Sequence, residues 1–74
     1  MEKNSLNETF GERLKLLRTE KKLGQVELAK RIGVGKAIIS QWERNESAPT
    51  LHNLKAVALF FGVSLDYLAG LTDD

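Results

Sequence analysis

Residues 13 to 44 carry nine basic side chains (Arg13, Lys15, Arg18, Lys21, Lys22, Lys30, Arg31, Lys36 and Arg44) against three acidic ones, Glu20, Glu27 and Glu43. The remainder of the chain holds two basic and seven acidic residues, so the net charge of +1 conceals a basic middle and acidic flanks. Ammonium and guanidinium groups gathered in one stretch attract polyanions. The same pattern also describes a set of solvated helix faces, and charge alone does not separate the two readings.

Catalytic chemistry has less to work with. His52 is the single histidine, and with one serine and one aspartate it could be drawn as a triad. No nucleophile elbow, phosphate-cradling loop or metal spacing accompanies it, so the chain reads as a non-enzyme. The absence of cysteine excludes disulfides and thiolate metal sites. A structural metal would need carboxylates almost alone, so no metal and no other cofactor is expected. No apolar run approaches the ~20 residues of a membrane span, and the N-terminus has no signal-peptide core. The expectation is a soluble cytoplasmic protein with no membrane partner.

Seventy-four residues make one domain. A domain this small buries only roughly 60–65% of its unfolded surface, so its core must be compact. A loose polar arm is expected over residues 1–8 and an acidic tail over 71–74, flanking a domain at 9–70. Thr9 followed by Glu12 is a capping-box signature, and Phe10, Leu14 and Leu17 then recur at helical spacing, giving a first helix over about 9–22. Leu28, Ala29 and Ile32 share a face of a second helix, about 25–32, and Ile39 and Trp42 share a face of a third, about 36–44. Pro49 and Thr50 open a fourth helix, with Leu51, Leu54, Val57, Ala58 and Phe61 on its inner face and Gly62 at its end. Ser64 caps a short fifth helix through about Ala69. No alternating β-branched run is long enough for a strand. The fold class is all-α, with five short helices around one core.

The sequence "GVG", residues 33–35, explains how the second and third helices meet. Gly33 follows the last apolar residue of the second helix, where a left-handed residue commonly ends a helix without a Cβ clash. Gly35 precedes Lys36 as an acceptable N-cap, and Gly24 does the same for the second helix. Val34 between them pins the turn to the core. Two helices joined by about three residues cross steeply, near ~90–120°. Ala29 lies at the expected crossing, where a larger side chain would push the helices apart. The combination is a helix-turn-helix.

This segment resembles the helix-turn-helix of the lambdoid phage repressor and Cro family, often called the XRE family. The resemblance is carried by Gln25, Leu28, Ala29, Ile32, Gly33, Val34, Ile39, Trp42 and Glu43. It extends outward to "RLKLLR" and to "GVSLDYLAG", covering about residues 9–70. It implies a lambda repressor-like five-helix fold and a DNA-binding transcription regulator, expected to be a repressor. Two departures are visible. Gly24 and Gly35 stand where the family often has Ser or Thr, whose hydroxyls can bond phosphate. Asn45 stands where many members have glycine, and asparagine still tolerates the left-handed conformation.

In this motif the second helix of the pair lies in the major groove and its N-terminal residues meet base edges. Here it carries Lys36, Ala37, Ser40 and Gln41 outward, with Ile38 beside them. Lys36 suits guanine O6/N7 or a phosphate, and Gln41 suits adenine N6/N7. Ala37 and Ile38 offer methyl groups to thymine, although Ile38 could instead be buried beside Ile39. By resemblance Gln25 holds phosphate at a helix N-terminus, where free N–H groups and the helix dipole attract anions. Arg44, Lys15 and Lys30 are further phosphate candidates. Arg18 and Glu43 resemble the buried ion pair of many members; the alternative is two solvated charges.

On the outer side of the fourth helix fall His52, Ala56, Leu59 and Phe60, opposite its core stripe. Two adjacent large apolar residues facing water suggest an interface. The alternative is that the fifth helix, the arm or the tail covers them. A homodimer is the expected partner beside double-stranded DNA, with Leu59, Phe60, Tyr67 and Leu71 meeting their own copies and two recognition helices reading a palindrome. The rival readings are an antitoxin-type protein whose main partner is another protein, and the detached DNA-binding domain of a longer repressor.

Overall fold

Thr9 caps the first helix. Its hydroxyl accepts from the Glu12 backbone N–H at 3.2 Å, and the Glu12 carboxylate takes the Thr9 N–H at 3.0 Å. Two of the orphan donors of helix α1 (Phe10–Glu20) are thereby satisfied. The computed structural model describes residues 8–73. The arm expected over residues 1–8 therefore lies outside the described residues, except for Glu8. Helices α2 (Gln25–Ile32), α3 (Lys36–Glu43), α4 (Leu51–Phe61) and α5 (Leu65–Leu68) follow, and no strand occurs among the described residues. Helix α1 ends two residues before the expected limit, because Lys22 turns the chain with φ 58°.

The turn between α2 and α3 has the local chemistry that "GVG" requires. Gly33 has φ 89°, and the N–H groups of both Gly33 and Val34 reach the Ala29 carbonyl, at 2.8 and 3.0 Å. Gly35 is extended and caps α3 without a side chain. Thr50 and Ser64 cap α4 and α5 through their hydroxyls, and Gly62 closes α4 with φ 69°.

Leu14, Leu28, Ala29, Ile39, Trp42, Val57, Ala58 and Leu68 form one buried cluster drawn from all five helices. Fully burying a leucine stabilises by about 1.5–3 kcal/mol, so this cluster is the main favourable term. Phe10 meets Trp42 edge-on, with ring centroids 5.9 Å apart, tying α1 to α3. Leu51 departs from the expected inner face: at the first position of α4 it projects past the core and is 67% exposed.

Two close approaches went unseen in the sequence. Gly11 is buried with its Cα against α3, and an added Cβ would lie 2.3 Å from the Trp42 carbonyl oxygen. Arg13 is fully buried. Its guanidinium donates to the carbonyls of Tyr67 and Thr72 at 2.7 and 2.6 Å and lies 4.4 Å from the centre of the Tyr67 ring. The carboxylates of Glu8 and Asp73 stand 3.7 and 3.6 Å away. The described part of the tail is therefore packed onto α1. Arg13 does not belong to an outward basic face, as a count of charges assumed.

Candidate nucleic-acid interface

Helix α3 has two faces. Ile39 and Trp42 enter the core, while Lys36 and Ala37 are exposed and Ser40 and Gln41 are half-buried. Ile38 is half-buried and packs against the core cluster, as the alternative reading of that residue allowed. Adjacent helical residues differ in direction by about 100°, so a branched side chain beside buried Ile39 stays on the rim of the core. The upper outer surface of α3 thus presents an ammonium, a methyl, a hydroxyl and a carboxamide.

The orientation of α3 is fixed by a charged knot. Arg18 on α1 grips Glu43 with Nε to Oε2 at 2.6 Å and Nη2 to Oε1 at 3.0 Å, and its Nη1 donates to the Leu23 carbonyl at 2.8 Å. The two side chains are only 12% and 4% exposed, so this is a buried pair. Bidentate geometry adds direction to the attraction. Gln25 completes the knot, its Nε2 donating to Glu43 Oε1 at 3.0 Å. A carboxylate only accepts, so the amide must turn its NH2 toward Glu43. The side chain of Gln25, expected to hold phosphate, thus also joins α2 to α3.

Arg44 follows α3 as its C-cap. It is exposed and also partnered, with Nε and Nη2 donating to the two carboxylate oxygens of Glu46 at 2.9 and 3.0 Å and Nη1 donating to Ser40 Oγ. The bond and charge of Glu46 raise the pKa of Arg44 above its usual value, and the bond from Arg44 holds the Glu46 carboxyl below the ordinary range. Lys30 is exposed. Lys15 is exposed too, but it shares a shallow groove with Glu8 and Glu12, whose carboxylates weaken its pull on a polyanion.

The expected interface residues divide. Leu59 and Leu71 are 82% and 72% exposed. Phe60 is half-buried, edge-on to Phe61 at 4.9 Å, with the Arg31 guanidinium 6.0 Å from its ring. Tyr67 is half-buried as well, beneath Arg13. A helical wheel gives the direction of Cβ, whereas a long aromatic side chain leans across to its neighbours. Among the described residues no helix is long and apolar enough to cross a membrane, and no group of three or more His, Cys, Asp or Glu could hold a metal.

The helix-turn-helix family model matches residues 14–68, which contain the core, the charged knot and the whole of α3. The chain belongs to the XRE-type helix-turn-helix family. It is 42% identical over 59 residues to the repressor protein C2 of Salmonella phage P22, covering 80% of this chain and 27% of that protein. It is 41% identical over 59 residues to the HTH-type transcriptional activator BcrR of Enterococcus faecalis, covering 80% of this chain and 29% of that one. The chain thus spans less than a third of the length of these two relatives. The fold is similar to that of the P22 c2 repressor crystallised with synthetic operator 9T, with a TM-score of 0.84 and 38% identity, covering 89% of this chain and 100% of that one. These XRE-type relatives are transcription regulators.

Proposed function

We propose that this chain is a sequence-specific binder of double-stranded DNA that acts in transcription regulation, as a repressor, by inserting α3 into the major groove of a palindromic operator. The observation that carries the reading is the likeness of the whole domain to the P22 c2 chain solved with operator DNA. The outer surface of α3 supports it independently. On this reading Lys36 donates to guanine, Gln41 pairs with adenine and Ala37 meets a thymine methyl. Ser40 can donate or accept, and Ile38 touches the groove only at its edge.

Phosphate contacts fix the register. Gln25 keeps one amide hydrogen beyond the one given to Glu43, and it sits where the N-cap Gly24 offers no side chain to the first N–H groups of α2. Lys30, Lys36 and Arg44 bring the positive charge, with Lys15 a lesser contributor. One recognition helix spans only a few base pairs, too little to single out a site in a genome, so two copies are needed. Leu59 and Leu71 are the most exposed large apolar side chains among the described residues, and we assign them to a two-fold contact.

Titrating a fluorescent duplex with the protein at increasing salt tests the reading. Each phosphate neutralised contributes about −0.9 to the slope of log K against log salt, so affinity should fall steeply between low and moderate salt. Unchanged affinity over that range would contradict it.

A further inference from the structure

The guanidinium of Arg44 is occupied in the free protein. It grips Glu46 with Nε and Nη2, at 2.9 and 3.0 Å. That edge carries two parallel donors, the arrangement that holds phosphate bidentately. We propose that Glu46 is an internal phosphate mimic: its carboxylate masks Arg44, and DNA must exchange that carboxylate for a backbone phosphate. Glu46 thereby lowers the affinity for every duplex alike. The proposal rests on the DNA-binding reading above and adds a regulation to it.

The mask is built into the turn after α3. Asn45 adopts φ 59°, which reverses the chain. The Asn45 N–H reaches the Trp42 carbonyl at 3.0 Å and the Glu46 N–H reaches the Gln41 carbonyl at 2.8 Å. The Asn45 side chain is held in turn by the Gly11 N–H, at 3.3 Å. Backbone bonds and α1 therefore set where Glu46 stands, and two residues after Arg44 it returns alongside the guanidinium.

The pair is also exchangeable. Both side chains are more than half exposed, at 58% and 52%. An ion pair in water is weak, so a phosphate can displace the carboxylate without unfolding anything. Glu46 then sets a bias against binding and does not prevent it.

The test compares the parent, Glu46→Gln, Arg44→Gln and the double variant, by fluorescence anisotropy at one salt concentration. Two duplexes are used, one enriched by selection with the parent and one of random sequence. Both positions are exposed, so all four proteins should melt at similar temperatures. Glu46→Gln should tighten binding to both duplexes by about twofold to fivefold, the range for releasing one exposed ion pair. The double variant should bind like Arg44→Gln, because nothing is left to unmask. The proposal is overturned if Glu46→Gln binds no better than the parent, if its gain persists without Arg44, or if its gain is confined to the selected duplex. If Arg44→Gln weakens binding while Glu46→Gln gains nothing, the DNA-binding reading stands and the mask alone fails. If the parent binds neither duplex, both fail.

Discussion

Arg18 and Glu43, 25 residues apart in sequence, join α1 to the end of α3 through two parallel hydrogen bonds of 2.6 and 3.0 Å. Removing one partner of a buried pair strands the other charge, which typically costs about 3–5 kcal/mol. Glu43→Ala should therefore destabilise the domain by about that amount, measured by urea unfolding. It also releases the Gln25 amide. A loss below about 1 kcal/mol would place the pair in the class of solvated surface bridges.

Gly11→Ala should destabilise the domain although alanine is the better helix former. The new methyl would meet the Trp42 carbonyl at 2.3 Å and Asn45 Oδ1 at 2.8 Å. Overpacking of this kind costs about 1–3 kcal/mol. An unchanged or raised melting temperature would mean that α1 can withdraw from α3 without loss.

Gly33→Val tests conformation where Gly11 tests space. Nothing lies within 4 Å of a Cβ at Gly33, but its φ of 89° is one that a β-branched residue rarely adopts. The expected loss is about 1–3 kcal/mol. A melting temperature equal to the parent's would show that the turn can be made without a left-handed residue.

These residues also show what could be read before the structure. Helix starts and stops were legible because caps act over three or four residues, and Thr9, Thr50, Ser64, Gly33 and Gly62 each carry that chemistry locally. Arg13 was not legible as a buried residue. Its charge argues for the surface, and the carbonyls it serves lie 54 and 59 residues away. One signal was present, since Arg13 stands three residues after Phe10, on the stripe that continues to Leu14 and Leu17. Gly11 could not be distinguished from a tolerated helical glycine, because its reason is a backbone on another helix. The outer residues of α3 followed from helical period. The partners of Gln25 and Arg44 depended on side-chain reach and on the Asn45 reversal, which period does not encode.

Leu59→Glu should leave the monomer folded, since Leu59 is 82% exposed. It should also abolish cooperative binding to a palindrome by placing like charges on both sides of a two-fold contact. Sedimentation velocity and titration of a palindromic duplex check this together. If the variant matches the parent in both, the subunits meet elsewhere.

Selection of bound duplexes from a random pool, run with the parent and with Gln41→Ala, tests the central claim most directly. A carboxamide paired bidentately with adenine discriminates by about 1–3 kcal/mol, so its loss should relax one position in each half-site. The parent should enrich a two-fold symmetric motif, with half-sites about one helical turn apart. Gln41→Ala should enrich the same motif with one base pair per half-site no longer specified. Recovery of no motif by the parent, or of an unaltered motif by Gln41→Ala, would contradict the account of α3 as a reader of base sequence.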